Sequence, residues 1–164
     1  MDYSAWYEKI TQPFRTPRTM KVLAALDRAL VIGFAAAYVA LLAFLLVTGD
    51  GFLARAFIVP AVTFALVTGA RLAVNRLRPY EAHDIDPLIT KDTRGKSMPS
   101  RHMASATIIA FTFCLVWPIA GTALFVACAC VAFTRIIGGV HYPTDILAAV
   151  ACALACGAVG FFVV

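Results

Sequence analysis

Three stretches of this chain run without a single charged residue: 29–47, 103–133 and 146–164. They decide what the chain can fold into. A helix rises 1.5 Å per residue, so about 20 apolar residues cross the roughly 30 Å hydrocarbon core of a bilayer. The first and last stretches have 19 residues each, the length of one crossing. The middle one has 31, too long for one comfortable crossing. Trp117-Pro118 and Gly121 interrupt it, which predicts two helices joined by a tight turn, at about 100–117 and 119–137. A further apolar segment, 52–74, carries Arg55 and Arg71 near its ends, where long basic side chains can snorkel to the interface. Pro60 predicts a kink within it.

Composition supports the same reading. Hydrophobic residues make up 62% of the chain and charged residues 14%. Ordinary soluble domains have about 45–50% and about 25%. A chain of 164 residues with so few polar groups cannot cover a soluble surface. A soluble enzyme, a disordered chain and a secreted disulfide scaffold are therefore excluded. The expected fold is all-α: a polytopic membrane helical bundle of about five transmembrane helices plus an N-terminal interfacial helix. Cys114, Cys128, Cys130, Cys152 and Cys156 all fall inside apolar runs without zinc-site spacing, and read as small packing residues. Ala149, Ala153 and Gly157 recur every four residues in the last run, a stripe that permits close helix packing.

The net charge of +5 does not describe a nucleic-acid surface, because the basic residues gather in a tail and one loop between apolar runs. In the tail, 1–28, Tyr3, Trp6, Tyr7 and Ile10 share one helical face, and Lys9, Arg15, Arg18, Lys21 and Arg28 accompany them. Aromatic residues beside basic ones suit a helix at the bilayer interface. Pro13 and Pro17 punctuate this segment. The loop, 75–101, holds four acids and the turn formers Pro79, Pro87, Gly95 and Pro99. A loop of this length is usually functional.

Three polar clusters stand at membrane borders, where ionisable residues are costly. The first is Arg71 with Arg78-Pro79, the second runs from Lys96 to His102, and the third joins Thr134-Arg135 to His141 and Asp145. The order of crossings brings all three to one side of the membrane. Arginine forks suit an oxyanion with more than one negative charge. Pro99-Ser100 ahead of a helix offers a hydroxyl and free backbone N–H groups. His141 and Asp145 are four residues apart, the spacing at which a carboxylate fixes one imidazole tautomer and leaves the other nitrogen nucleophilic. His102 can protonate a leaving oxygen. Together these groups make a phosphoryl-transfer site that calls for no metal and no cofactor. His83, Arg76, Lys91, Arg94 and Lys96 read as loop, solvated or headgroup-facing residues. Tyr80 and Glu81 are candidates for shaping the pocket mouth.

The three clusters resemble the signature motifs of the type 2 phosphatidic acid phosphatase superfamily, which includes lipid phosphate phosphatases and vanadium haloperoxidases. The usual first motif is Lys, six residues, Arg-Pro; Arg71 stands at the lysine position ahead of Arg78-Pro79. The usual second is Pro-Ser-Gly-His; this chain has Pro99-Ser100-Arg101-His102. The usual third is Ser-Arg, five residues, His, three residues, Asp; this chain has Thr134-Arg135, His141 and Asp145.

The resemblance implies His141, His102 and Asp145 as catalytic residues. It implies Arg71, Arg78, Ser100, Arg135 and Arg101 around the substrate phosphate, and no metal. It further implies a phosphohistidine intermediate and a lipid substrate such as undecaprenyl diphosphate, phosphatidylglycerol phosphate or phosphatidic acid. On this reading 1–28 is a segment facing headgroups or cytoplasm, and 29–164 is a single transmembrane phosphatase domain with its catalytic loop at 75–101. The partners expected are the lipid phosphate and the bilayer, with no nucleic acid; a homo-oligomer is compatible with the sequence. Two alternatives are a vanadate-dependent haloperoxidase-like enzyme and a non-catalytic lipid-binding or transport protein. The basic tail favours a cytoplasmic N-terminus and hence a cytoplasmic site. The small size suits the membrane of a bacterial cell, and the resemblance implies a site on its extracytoplasmic face.

Overall fold

A computed structural model describes residues 2–163, so Val164, the last residue of the final apolar run, lies outside the described residues. Helices and irregular connections make up the described residues, with no strand among them, and the long helices form the bundle that the apolar runs predict. Helix α1 is Tyr3–Thr11, and a single 3-10 turn at Gln12–Phe14 leads to α2, Pro17–Thr48. Then come α3, Leu53–Val74, and a short α4, Pro79–Ala82. The core is completed by α5, Arg101–Val116, α6, Pro118–Ile137, and α7, Pro143–Phe162.

Helices α2, α3, α6 and α7 are each long and apolar enough to cross a membrane. Helix α5, with 16 residues, is shorter. It compensates by being central. Met103, Ala104, Ala106, Ile108, Ile109, Ala110 and Phe113 are all buried, packed between α3, α6 and α7. The outer faces of the bundle carry Ile32, Val39, Leu46, Phe57 and Ile58, which are exposed as lipid-facing residues should be.

Two helix starts show how local sequence sets the frame. Pro17 does not break the chain; it occupies the first turn of α2, where its missing N–H costs nothing. Thr16 and Thr19 cap that turn reciprocally. The helix therefore begins 12 residues ahead of the uncharged run and carries Arg18, Lys21, Asp27 and Arg28 in its first three turns. At the other end of the bundle, Trp117 alone separates α5 from α6. The hairpin is so tight that a Cβ on Gly121 would lie 2.3 Å from the backbone nitrogen of Cys114. The Ala149, Ala153, Gly157 stripe is buried, and Gly157 faces Phe111 and Ile108 of α5.

The first turns of α5 and α7 and the last turns of α3 and α6 lie at one end of the bundle. The first half of α2 and helix α1 lie there too. Tyr7 of α1 is fully buried; its hydroxyl donates to the carbonyl of Ile137 at 2.8 Å and accepts from the N–H of Leu88 at 3.3 Å. The 75–101 loop is pinned beneath it, with the Ile89 N–H bonded to the carbonyl of Gly138 at 3.1 Å. Leu23, Leu88, Ile89, Ile137 and Val140 form a small separate core there.

Candidate active site

Asp145 is the hub of this end. It sits in the first turn of α7 and is fully buried. Its Oδ1 pairs with Arg76 at 2.9 Å. Its Oδ2 accepts from the hydroxyl of Ser97, from the backbone N–H of Tyr142 at 3.0 Å, and lies 3.4 Å from Nδ1 of His141. These contacts fix the carboxylate in one orientation beside the imidazole. A proton held on Nδ1 by that carboxylate leaves Nε2 with its lone pair.

His141 is itself only 2% exposed. Burial pushes its pKa down to about 4, and the nearby Arg78 and Arg71 guanidiniums push the same way, against the pull of Asp145. The ring is therefore neutral at neutral pH, the state a nitrogen nucleophile requires.

Backbone contacts draw the three sequence clusters together. Arg71 donates to the carbonyl of Pro99 at 2.9 Å. Arg78 donates to the carbonyl of Gly95 at 3.1 Å and to that of Val140, next to His141, at 3.3 Å. The N–H of Ser100 donates to the backbone carbonyl of Asp145 at 3.2 Å. The first motif is thus tied to the second and third, and the second is tied directly to the third.

Several strong donors in the site have no partner among the described residues. The hydroxyl of Ser100 is buried and unpaired, as are Nε and Nη1 of Arg135. Orphaned buried donors are rare, and at a polar site they mark where an acceptor belongs. The third guanidinium nitrogen, Nη2, forms an ion pair with Asp27 of α2 at 3.0 Å. Asp27 also accepts from the hydroxyl of Thr134 at 3.1 Å.

Two clefts open beside these groups. One, of about 290 Å³, is lined by Arg101, His102 and Arg135 at its polar end and by Leu30, Phe34 and Phe64 beyond. The other, of about 320 Å³, is lined by Arg71, Arg78 and Arg101. Arg101 lines both; Arg71, Arg78, Arg135 and His102 each border one of them, and the buried His141 lines neither.

Sequence reasoning set Arg76 aside as a solvated or headgroup-facing charge. It is instead engaged with Asp145, and its guanidinium lies 3.9 Å above the ring of Tyr142. Ser97 and Asp27 had no assigned role. None of the three carries a local signal, because their partners are far along the chain. His83, read as a loop residue, stacks on Tyr3 with ring centroids 4.5 Å apart.

The bundle defines a helical membrane protein with a cluster of buried charged and polar side chains at one end. The sequence profile of the PAP2 superfamily matches residues 52–164, and the chain belongs to that superfamily. The fold is similar to that of LpxE from Aquifex aeolicus, with a TM-score of 0.75 at 20% identity, covering 98% of this chain and 96% of that one. It is also similar to a transmembrane PAP2 type phosphatidylglycerolphosphate phosphatase from Bacillus subtilis. There the TM-score is 0.55 at 19% identity, covering 96% of this chain and 91% of that one. No curated protein sequence gives a significant match. Helices α1 and α2, which supply Tyr7 and Asp27, precede the family match, yet the likeness to LpxE extends over nearly the whole chain.

Proposed function

We propose that this protein is an integral membrane lipid phosphatase that works through a phosphohistidine on His141. The observation that carries the reading is the buried, neutral His141 beside a fully anchored Asp145, at the end of the bundle where Ser100 and Arg135 hold donors without acceptors. Nε2 of His141 attacks phosphorus. The bond to the leaving oxygen breaks, and His102 donates a proton to that oxygen. Water then attacks phosphorus, the phosphorus–nitrogen bond breaks with its electron pair returning to Nε2 of His141, and His102 takes the proton from the water. Arg71, Arg78, Arg135, Arg101 and the hydroxyl of Ser100 hold the non-bridging oxygens and stabilise the charge that develops on them. No metal takes part in this scheme.

The substrate is a lipid carrying a phosphomonoester or diphosphate, of the undecaprenyl diphosphate, phosphatidylglycerol phosphate or phosphatidic acid type. The apolar walls of the larger bundle face and the cleft beside His102 suit a headgroup presented from the bilayer. Following the family resemblance, we place the site on the outer face of a bacterial cell membrane. The C-terminal end of α7 lies opposite the site, so a reporter fused there should then be cytoplasmic. The function is tested by phosphate release from a panel of lipid phosphates in detergent micelles. Wild-type protein should release phosphate, His141→Ala should not, and vanadate should compete with the substrate. Undiminished release by His141→Ala overturns the reading.

A further inference from the structure

We infer that the site is built for two phosphoryl groups on one headgroup, and that Arg94 and Lys96 hold the second. The inference rests on the lipid phosphatase reading and narrows its substrate to a lipid diphosphate.

Arg94 and Lys96 belong to the loop; in the sequence they read as solvated or headgroup-facing charges, with no spacing that assigns them to a second phosphate. The structure places both in the same cleft as Arg71, Arg78 and Arg101. Five cations thus border one cavity of about 320 Å³. Among the described residues none of the five has a carboxylate within ion-pair distance. Glu81 reaches this region, but its carboxylate accepts from the backbone N–H groups of Arg78 and Gly95. The other two cations of the site are already balanced, Arg76 by Asp145 and Arg135 by Asp27. The hydroxyl of Thr68, on the cleft wall, is buried and without a partner.

Charge decides what such a cleft can take. A phosphomonoester brings about −1.5 to −2 at neutral pH. Five unbalanced cations exceed that: Arg71 and Arg78 are buried, where repulsion is least screened, while Arg94, Lys96 and Arg101 are exposed at the mouth and partly screened by water until an anion enters. A diphosphate brings a second set of acceptor oxygens and further negative charge across one bridging oxygen. Arg101 lines both clefts, so it stands between the seat at His102 and Arg135 and the group at Arg94 and Lys96. In this arrangement His141 bonds to the terminal phosphorus. The bond from that phosphorus to the bridging oxygen breaks, and its electron pair stays on the oxygen. His102 supplies the proton, the lipid monophosphate leaves, and water releases orthophosphate from His141. The inner phosphoryl group, held by Arg94, Lys96 and Arg101, is part of the leaving group.

The test separates this inference from the hydrolase reading by measuring binding without turnover. Calorimetry on purified His141→Ala protein compares inorganic pyrophosphate with orthophosphate. Pyrophosphate should bind at least about ten-fold more tightly, since each added charge-assisted contact is a strong one. Arg94→Gln with Lys96→Asn on that background should reduce the advantage to less than about three-fold, with orthophosphate affinity nearly unchanged. Asparagine suits position 96, whose φ is +52°. Equal binding of the two anions overturns the proposal, as does an advantage that survives both substitutions. So does a double variant that loses only its binding to phosphatidylglycerol vesicles, which would make these residues readers of the surrounding bilayer. In the active protein, the same two substitutions should lower kcat/KM for a lipid diphosphate at least about ten-fold more than for the monophosphate of the same lipid. A pyrophosphate preference in a protein that hydrolyses no lipid would leave this inference standing and remove the hydrolase reading.

Discussion

Nη2 of Arg135 lies 3.0 Å from Oδ1 of Asp27, an ion pair that joins the third sequence motif to a helix preceding the family match. Nε and Nη1 of Arg135 have no partner among the described residues, although the side chain is only 1% exposed. Removing one partner of such a pair leaves the other charge uncompensated, at a cost of about 3–5 kcal/mol. Asp27→Asn should therefore lower the thermal midpoint in detergent. Vanadate gives Arg135 a new counter-charge, so it should stabilise Asp27→Asn more than wild type. Equal stabilisation of the two proteins would show that Arg135 does not face the anion seat.

Arg76 and Ser97 both contact the Asp145 carboxylate, and in the proposed mechanism they act through it as positioning residues. Groups that orient a functional side chain are commonly worth about 10–100-fold. Arg76→Gln and Ser97→Ala should each reduce kcat by about that factor while changing KM little. Arg76→Lys keeps the charge and should recover part of the loss. A pure rise in KM would instead place Arg76 on the substrate.

His141 should resist protonation. Its pKa is about 4, below the ordinary histidine value near 6.5, so the neutral form persists as pH falls and is lost only through the region of pH 4. Observed by NMR of labelled imidazole in the free protein, the ring should be neutral at pH 6. The unfolded chain binds this proton at higher pH than the folded one, so this group's contribution to stability declines as pH drops below about 6.5. A midpoint near 6.5 in the folded protein would mean that the ring is not buried as described.

The α5–α6 hairpin depends on Gly121. Gly121→Ala places a methyl 2.3 Å from the nitrogen of Cys114 and should destabilise the bundle by about 1–3 kcal/mol. Gly69 meets nothing within 4 Å, and Gly69→Ala should be neutral or stabilising by up to about 1 kcal/mol. Thermal unfolding of the two variants in one detergent compares them directly.

The fold was legible because helix length and charge placement in a bilayer obey narrow limits. The apolar runs mark α2, α3, α6 and α7, and Trp117-Pro118 marks the hairpin. The start of α2 was obscured because proline breaks a helix in its interior and initiates one at its first turn. The site was legible where spacing is local, as with His141 and Asp145. Arg76 and Asp145 are 69 residues apart and Ser97 and Asp145 are 48 apart. No periodicity encodes such pairs; only the packed bundle brings them together. The same holds for Asp27 and Thr134, which are 107 residues apart.

The central claim is that His141 carries the phosphoryl group. Protein mixed with a lipid phosphate bearing labelled phosphorus and quenched in alkali, where a phosphorus–nitrogen bond to histidine survives, should hold the label on the peptide containing His141. His141→Ala should take up no label and release no phosphate. Label on another residue, or phosphate release by His141→Ala at the wild-type rate, would contradict the account.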